Sequence, residues 1–133
     1  MRFFQSIGII LLSISLIVGC SSKPSETEAR QPIEQKIQKN SKGLIKLISF
    51  KKTNAIASEI NGVKLYEMEW IANIELTCDC YWLPEQFQAY TDTDVPLLSM
   101  VVFKKGQKGE RFNVAGKTLF EKTENGWRIS NGL

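Results

Sequence analysis

Apolar and polar residues alternate most clearly over residues 66–76, and this alternation predicts a β-strand. The even positions carry apolar or aromatic side chains, and the odd positions carry, apart from Ile71, the polar residues Glu67, Glu69, Asn73 and Glu75. Because successive side chains of a strand point to opposite faces, one face belongs to a core and the other to solvent. The glutamates therefore indicate a solvated sheet face and not a group of catalytic carboxylates.

A hairpin turn is predicted at Asn61-Gly62, directly before this strand. Asn-Gly is favoured there because both central residues of the tightest hairpin turn need a positive φ angle. Pairing residue 60 with residue 63 places four further side chains on the buried face, namely Ala57, Ala55, Leu47 and Ile45. An unbroken register would also direct Ile48 and Phe50 to solvent, so we predict a β-bulge near Thr53.

The same signals recur in the last third of the chain. Asn125-Gly126 separates an alternating stretch over residues 112–123 from one over residues 127–130, and pairing residue 124 with residue 127 predicts a second hairpin. Its buried face would hold Phe112, Val114, Thr118, Phe120, Trp127 and Ile129. Residues 97–104 are expected to supply one more strand, joined to this hairpin by a glycine-containing turn.

A short helix is predicted to precede the strands and to begin near Pro32. Proline is favourable at the first helical position, and Ile33 and Ile37 then share one face of the helix. Gly43 is a plausible stop signal at the carboxyl end. The apolar stripe is narrow, so the helix has to pack on another element.

The segment before Pro32 contains a competing signal. Ser25 and Glu28 match a capping box, but a helix that began there would hold Pro32 in its interior, at a cost of about 3 kcal/mol. We therefore predict a flexible tether over residues 20–31 and a single globular α+β domain over residues 32–133. In this fold one short N-terminal helix packs on a curved antiparallel sheet of about five strands.

The amino-terminal residues have the pattern of an export signal. Arg2 is followed by an uncharged, largely apolar stretch over residues 3–19, and positions 16–20 read Leu-Ile-Val-Gly-Cys. The stretch is shorter than the ~20 apolar residues of a membrane-spanning helix and is interrupted by Gln5 and several serines. It resembles a bacterial lipoprotein signal peptide that ends in a lipobox.

That resemblance implies removal of residues 1–19 and a diacylglyceryl group on Cys20. The cysteine would then be a lipid anchor rather than a redox or metal residue. Acyl chains hold a protein on a bilayer because each buried methylene contributes ~0.8 kcal/mol. The expected location is therefore the bacterial cell membrane, and the outer membrane in a Gram-negative organism, because Ser21 rather than aspartate follows the cysteine.

A second resemblance concerns the fold and covers most of residues 30–130. A helix followed by long strands, ending in the hairpin segment over residues 116–127, is similar to small bacterial lipoproteins with a cystatin-like or nuclear-transport-factor-like fold. Such folds include enzymes, ligand-binding proteins and interaction modules. The resemblance therefore implies an architecture and not an activity.

Composition and charge narrow the classes of function. The chain has 133 residues, a formal net charge of +3 and no histidine. Without histidine, Ser-His-Asp triads, Cys-His pairs and imidazole zinc sites are excluded. The basic residues Lys104, Lys105, Lys108 and Arg111 cluster near two glycines, which is more typical of a solvated turn than of an anionic partner surface. We expect no nucleic-acid partner, no metal and no cofactor.

Two cysteines besides Cys20 lie at the end of the clearest strand. Cys78 and Cys80 are two positions apart, and the corresponding Cα atoms of a flat strand are ~6.5–7 Å apart, at the limit for a disulfide. Either the chain bends and a disulfide forms in an oxidising compartment, or both thiols stay reduced as small core residues. A thiol-redox or copper(I) role is a third alternative, which neither a methionine cluster nor a histidine supports.

The connection that follows the cysteines is the other candidate site. It carries more aromatic residues than a solvated loop needs, namely Tyr81, Trp82, Phe87 and Tyr90. They either fold back to cover the core or form the rim of a pocket or of a partner surface. Asp92 and Asp94 follow, but they lack the glycine turn and the distal glutamate of a calcium loop.

Three classes of function are open to such a chain. We favour a binding or interaction module at the cell envelope, which holds a small ligand or an envelope protein. A structural envelope lipoprotein is the second class, and an enzyme is the third, disfavoured because no nucleophile lies beside a base in the sequence. An aromatic-lined cavity over Trp70 would indicate binding, whereas a face filled by the protein's own side chains would indicate a structural role.

Overall fold

The computed structural model describes residues 23–130, so Cys20, the predicted signal peptide and residues 131–133 lie outside it. The helices are α1 (Glu26–Ser41) and the short α2 (Ser99–Val102). The strands are β1 (Ile45–Ile60), β2 (Val63–Leu76), β3 (Cys80–Leu83), β4 (Gln88–Thr91), β5 (Lys104–Gly106), β6 (Arg111–Thr123) and β7 (Gly126–Ile129).

The strands form two antiparallel sheets. The larger sheet has the order β1-β2-β6-β7, and the smaller sheet has the order β4-β3-β5. The α+β class, with a helix packed on antiparallel strands, is confirmed. The expectation of about five strands in one sheet is wrong, because residues 23–130 form seven strands in two sheets. The difference arises between β2 and β6, where the connecting segment pairs with itself.

Helix α1 begins at Glu26, more than a turn before the predicted start at Pro32. The side-chain oxygen of Ser25 accepts a hydrogen bond from the N–H of Glu28 at 3.0 Å, and Ala29 is completely buried, so capping and packing both hold the first turn. Pro32 leaves the carbonyl of Glu28 without a helical donor, but Glu28 is exposed and water can hydrogen-bond that carbonyl. The predicted tether over residues 20–31 is therefore wrong from Glu26 onward.

The packed side and the carboxyl end of α1 agree with the prediction. Ile33 and Ile37 are buried against the sheets. The helix ends at Ser41, and Gly43 follows with a φ angle of 81°. Gly43 donates its N–H to the carbonyl of Gln38 at 3.0 Å, so the glycine satisfies one of the last helical carbonyls.

The turn and the bulge predicted for the first hairpin are confirmed. Asn61 and Gly62 have φ angles of 52° and 81°, and residue 60 pairs with residue 63. The register of β1 against β2 shifts at Thr53, which has no partner on β2. This extra residue turns Phe50 to the buried face.

A second bulge, at Ile48, was not predicted. One bulge reverses the direction of every side chain beyond it, so Leu47 and Ile45 would point to solvent if Thr53 were the only one. The shift at Ile48 returns Leu47 and Ile45 to the core, where both are buried.

The second hairpin has a different register from the predicted one. Thr123 pairs with Gly126, so Glu124 and Asn125 form the turn and the predicted pairing of residues 124 and 127 is wrong. Gly126 has a φ angle of 106°, and the glycine therefore follows the turn, as in hairpins in which a left-handed residue succeeds a type I turn. The buried face is unchanged because the register moves by an even number of residues.

Residues 97–102 are not the strand that was predicted. Helix α2 occupies part of this segment, and β5 begins only at Lys104. The carbonyl of Pro96 accepts hydrogen bonds from the N–H groups of Ser99 and Met100, which satisfies the backbone locally without a neighbouring strand. Leu97, Leu98 and Val101 are 83%, 86% and 87% exposed. We call residues 97–102 the α2 projection.

The core lies on the face of the larger sheet that carries the even-numbered side chains of β2. Helix α1 covers part of this face, and the smaller sheet covers the part near Leu76, where the rings of Trp82 and Phe112 are 4.7 Å apart. No helix within residues 23–130 has the length and apolar character needed to cross a bilayer.

Candidate functional site

A cleft of about 610 Å³ opens above Trp70, between α1, the β3–β4 loop and β6. It has three walls and a floor. Helix α1 contributes Ile33, Lys36, Ile37 and Asn40, the loop contributes residues 84–88, and β6 contributes residues 115–118. The lining includes the aromatic residues Trp70 and Phe87, and the walls come from three separate parts of the chain.

Trp70 forms the floor and is fixed from two sides. Its indole N–H donates a hydrogen bond to the hydroxyl of Thr118 at 3.0 Å. Its ring lies 5.5 Å from that of Phe50, in a tilted arrangement that aromatic pairs favour. Trp70 is only 4% exposed, so its ring is held in place by its neighbours and a small part of it faces the cleft.

Gly116 allows the indole to lie flat against β6. A Cβ atom at this position would lie 2.6 Å from Cε2 and 2.7 Å from Cη2 of Trp70, well inside van der Waals contact. Glycine in the interior of a strand weakens it, and it is typical of sites where another group approaches the backbone closely. At Gly116 the group that approaches the backbone is the indole of Trp70, which forms the floor of the cleft.

The loop wall carries backbone strain. Phe87 has a φ angle of 51°, a left-handed conformation that bulky side chains rarely adopt and that costs of order 1–3 kcal/mol. Its ring stacks on Trp70 with the ring centres 6.1 Å apart and the planes 23° apart. Next to it, the side-chain amide of Asn40 donates a hydrogen bond to the carbonyl of Gln86 at 3.2 Å and ties the loop to α1.

The third wall is an open edge of the larger sheet. Strand β6 pairs with β2 along residues 111–121, but on its other side it pairs with β7 only from Phe120 to Thr123. Within the part of the chain that the structure describes, residues 113–119 have no strand on that other side. Such an edge presents a row of N–H and C=O groups that can pair with another extended chain.

Charged groups line the cleft sparsely. Lys117 forms an ion pair with Glu67 at 2.7 Å, and that hydrogen bond raises the pKa of the exposed lysine above its usual value. Lys36 and Glu85 have no ion-pair partner within residues 23–130. The cleft thus combines an apolar floor with polar backbone and a few charges at its rim.

The structure does not bring the four candidate aromatic residues together. Phe87 lines the cleft, but Trp82 is 2% exposed and belongs to the core. Tyr90 is half-buried and its ring lies 5.6 Å from that of Phe103, while Tyr81 lies under the ammonium group of Lys105 at 5.8 Å. Of the four aromatic residues, only Phe87 therefore lines the cleft, and Trp82 covers the core.

Two features of the cleft were missed by the analysis of the sequence. Gly116 interrupts an otherwise alternating strand, and that interruption could have indicated a close approach. The open edge of β6 had no such signal, because it depends on the shortness of β7 and on where the β3–β4 loop folds back.

Cys78 and Cys80 are both free thiols in the structure. Cys80 is completely buried. Burial, together with a hydrogen bond that the Cys80 S–H donates to Cys78 and the nearby charges of Asp92 and Asp79, raises the pKa of the Cys80 thiol to about 12. A thiol that stays protonated is a poor nucleophile and a poor metal ligand, so Cys80 has the character of a core residue.

The other candidate carboxylates take part in ordinary surface contacts. Asp94 accepts a hydrogen bond from the hydroxyl of Thr91 at 3.0 Å, and Arg111 pairs with Glu75 at 3.3 Å. Residues 23–130 contain no cluster of three or more side chains suited to bind a metal ion.

No protein-family model matches the chain, and no curated protein and no solved structure matches it either. The function is therefore argued from the geometry of the cleft.

Proposed function

We propose that this protein is a lipid-anchored binding module of the bacterial cell envelope, and that it binds an extended segment of another envelope protein in the cleft above Trp70. The observation that carries the proposal is the open edge of β6, residues 113–119, running along an aromatic floor. Catalysis is not part of the proposal.

Strand addition, in which an extended chain pairs with the edge of a sheet, would use both the open β6 edge and the aromatic floor of the cleft. An extended chain that pairs with the β6 edge would obtain its affinity from main-chain hydrogen bonds. Its alternate side chains would point to one face, so one of them would meet the surface formed by Trp70 and Phe87. A fixed aromatic surface favours an apolar side chain at that position, because burying apolar area contributes roughly 25 cal/mol per Å².

Preorganisation supports binding rather than a purely structural role. Phe87 has a strained backbone that glycine at this position would not have, and strain of this kind is concentrated at sites of function. The hydrogen bond from the Asn40 amide to the Gln86 carbonyl ties the loop wall of the cleft to the α1 wall. A structural envelope lipoprotein, the alternative, would not require a cleft with a fixed floor.

The proposed location at the cell envelope rests on the predicted signal peptide. Residues 3–19 and Cys20 resemble a lipoprotein signal peptide, and the folded part begins within a few residues of Cys20. One helix packed on antiparallel strands is in keeping with the cystatin-like or nuclear-transport-factor-like resemblance. Incorporation of radiolabelled palmitate at Cys20 tests the anchor, and an uncut, unlabelled precursor would contradict it.

Site-specific photo-crosslinking in living cells tests the binding site. A benzophenone amino acid is placed at Gln86 on the loop wall, at Lys117 on the β6 wall, and at Lys46 on the far strand β1 as the matched control. We expect both cleft positions to capture the same segment of the same envelope protein, while the control position does not. Phe87→Ala should reduce the yield at both cleft positions. Equal capture from all three positions, or none from the cleft, would contradict the proposal.

A further inference from the structure

The free end of the β1–β2 hairpin carries an apolar patch that the cleft does not use. Ile56, Ile60 and Val63 are 62%, 59% and 42% exposed. Residues 60 and 63 are direct partners, and Ile56 lies on the same face because it is an even number of residues from Ile60 along a regular part of β1. We call these three residues the hairpin patch.

This end of the hairpin projects beyond the rest of the sheet. The pairing of β2 with β6 begins at Leu65, opposite Glu121, so residues 59–64 form a two-stranded ribbon with no third strand in the described chain. A two-stranded ribbon that exposes large apolar side chains at its tip is poorly stabilised in water, and it is suited to a surface that removes those side chains from water.

The start of the described chain lies beside the same ribbon. Lys23 shares a shallow surface depression with Ala57, Lys64 and Leu65. Cys20 is three residues earlier in the sequence, and three residues of fully extended chain span at most ~11 Å. A lipid on Cys20 would place the membrane surface at this end of the domain.

We infer that the hairpin patch inserts into the apolar edge of the phospholipid leaflet that holds the Cys20 lipid, and so orients the domain on the membrane. The inference rests on the anchor that is part of the proposed function. Apolar side chains that lie in the interface between headgroups and acyl chains strengthen membrane binding in proportion to the apolar area they bury. Lys64 and its partner Glu59 point to the opposite face of the ribbon from Val63, and they share their depression with Lys23, so apolar insertion and not headgroup charge carries the contact.

The α2 projection exposes more apolar side chains than the hairpin patch does, but it lies toward the other end of the larger sheet. It belongs to the connection that packs near Leu76, where Gly109 donates its N–H to the Leu76 carbonyl at 2.8 Å. The hairpin patch lies at the Val63 end of β2, and a strand of 14 residues is about 45 Å long. If the long axis of β2 stands away from the membrane, a membrane that contacts the patch does not reach the projection. A probe on the projection therefore serves as the control.

Quenching by brominated lipids tests this inference on the full lipoprotein. Wild type, Ile60→Trp and Leu98→Trp are purified from envelopes and reconstituted into vesicles of phosphatidylethanolamine and phosphatidylglycerol, with or without bromine on the acyl chains. Both substitutions lie at exposed positions, so the fold should tolerate them. After subtraction of the wild-type signal, Ile60→Trp should lose most of its added fluorescence in brominated vesicles, and Leu98→Trp should keep it.

The intact mass of each preparation separates two kinds of failure. A lipidated protein in which Ile60→Trp stays bright, or in which Leu98→Trp is quenched instead, overturns the inference and leaves the anchor in place. A mature protein without the mass of the lipid overturns the anchor and the inference together.

Discussion

A side chain on Gly116 and the indole of Trp70 cannot occupy the same space. A Cβ atom on residue 116 would lie 2.6 Å from Cε2 of Trp70, and closer still to Cζ2. The indole also donates its hydrogen bond to Thr118, two positions further along β6. The floor of the cleft is therefore fixed by the absence of one side chain and the presence of another on the same strand.

Gly116→Ala should destabilise the protein and close the cleft. The indole would have to move off β6, and overpacking of this kind costs about 1–3 kcal/mol. Denaturant unfolding measures the change. In a Trp70→Leu background the same glycine substitution should cost clearly less, because the atoms that clash are gone. Equal costs in the two backgrounds would mean that Trp70 is not what the glycine accommodates.

Phe87→Ala and Phe87→Gly should differ, although both remove the ring that stacks on Trp70. Glycine adopts a positive φ angle without strain, whereas alanine retains the strain, so we expect Phe87→Gly to be more stable than Phe87→Ala by about 1 kcal/mol. Thermal or denaturant unfolding of the pair measures this difference. Both variants should bind the partner segment poorly. If alanine proved the more stable, Phe87 would not have the left-handed backbone described here.

Trp82→Ala should unfold the protein more readily than Phe87→Ala does. Trp82 is 2% exposed and packs on Phe112, so removal of its ring leaves a cavity, and such changes cost about 3–5 kcal/mol. Its indole N–H has no hydrogen-bond partner in the described structure, so part of the loss is offset when that buried donor is removed. Equilibrium unfolding of both variants gives the comparison. A Trp82→Ala variant as stable as wild type would contradict the burial.

The stability of the protein should fall in alkali partly through Cys80. Its pKa is raised from 9.0 to about 12, so above pH 9 the unfolded chain loses this proton while the folded chain keeps it. Folding is then opposed increasingly up to about pH 12, with a slope of at most about 1.4 kcal/mol per pH unit. Unfolding of wild type and Cys80→Ala between pH 8 and 11 should reveal a steeper decline in wild type.

Cys78→Ala is the matched control for that experiment, since it leaves the buried thiol of Cys80 in place. It should retain most of the wild-type slope. Mass spectrometry without reductant should also count free thiols at both positions. Parallel pH profiles of wild type and Cys80→Ala, or a protein isolated with a Cys78–Cys80 disulfide, would contradict this account of the pair.

The sequence predicts the long hairpin well because its signals are local. Asn61-Gly62 sets the turn, and the outward direction that an unbroken register would force on Phe50 indicates the bulge at Thr53. The bulge at Ile48 follows from the same parity, because a single bulge would have exposed Leu47. To predict the second bulge from the sequence, the direction of the apolar side chains has to be followed on both sides of the first one.

The errors occur where tertiary contacts decide. Burial of Ala29 and the cap at Ser25 outweigh the cost of Pro32, so α1 begins earlier than its proline indicates. Residues 97–102 have the composition of a strand but no neighbour to pair with. The cleft likewise depends on the mismatch in length between β6 and β7, which no alternation of residues along the chain records.

Amide hydrogen exchange tests the central claim most directly. The protein is compared with and without a synthetic peptide that carries the segment captured by crosslinking at Gln86 and Lys117. We predict slower exchange within residues 113–119 of β6, where main-chain pairing would protect the open edge, and within the β3–β4 loop over residues 84–88. Unchanged exchange along the β6 edge, or protection confined to the α2 projection, would contradict strand addition in this cleft.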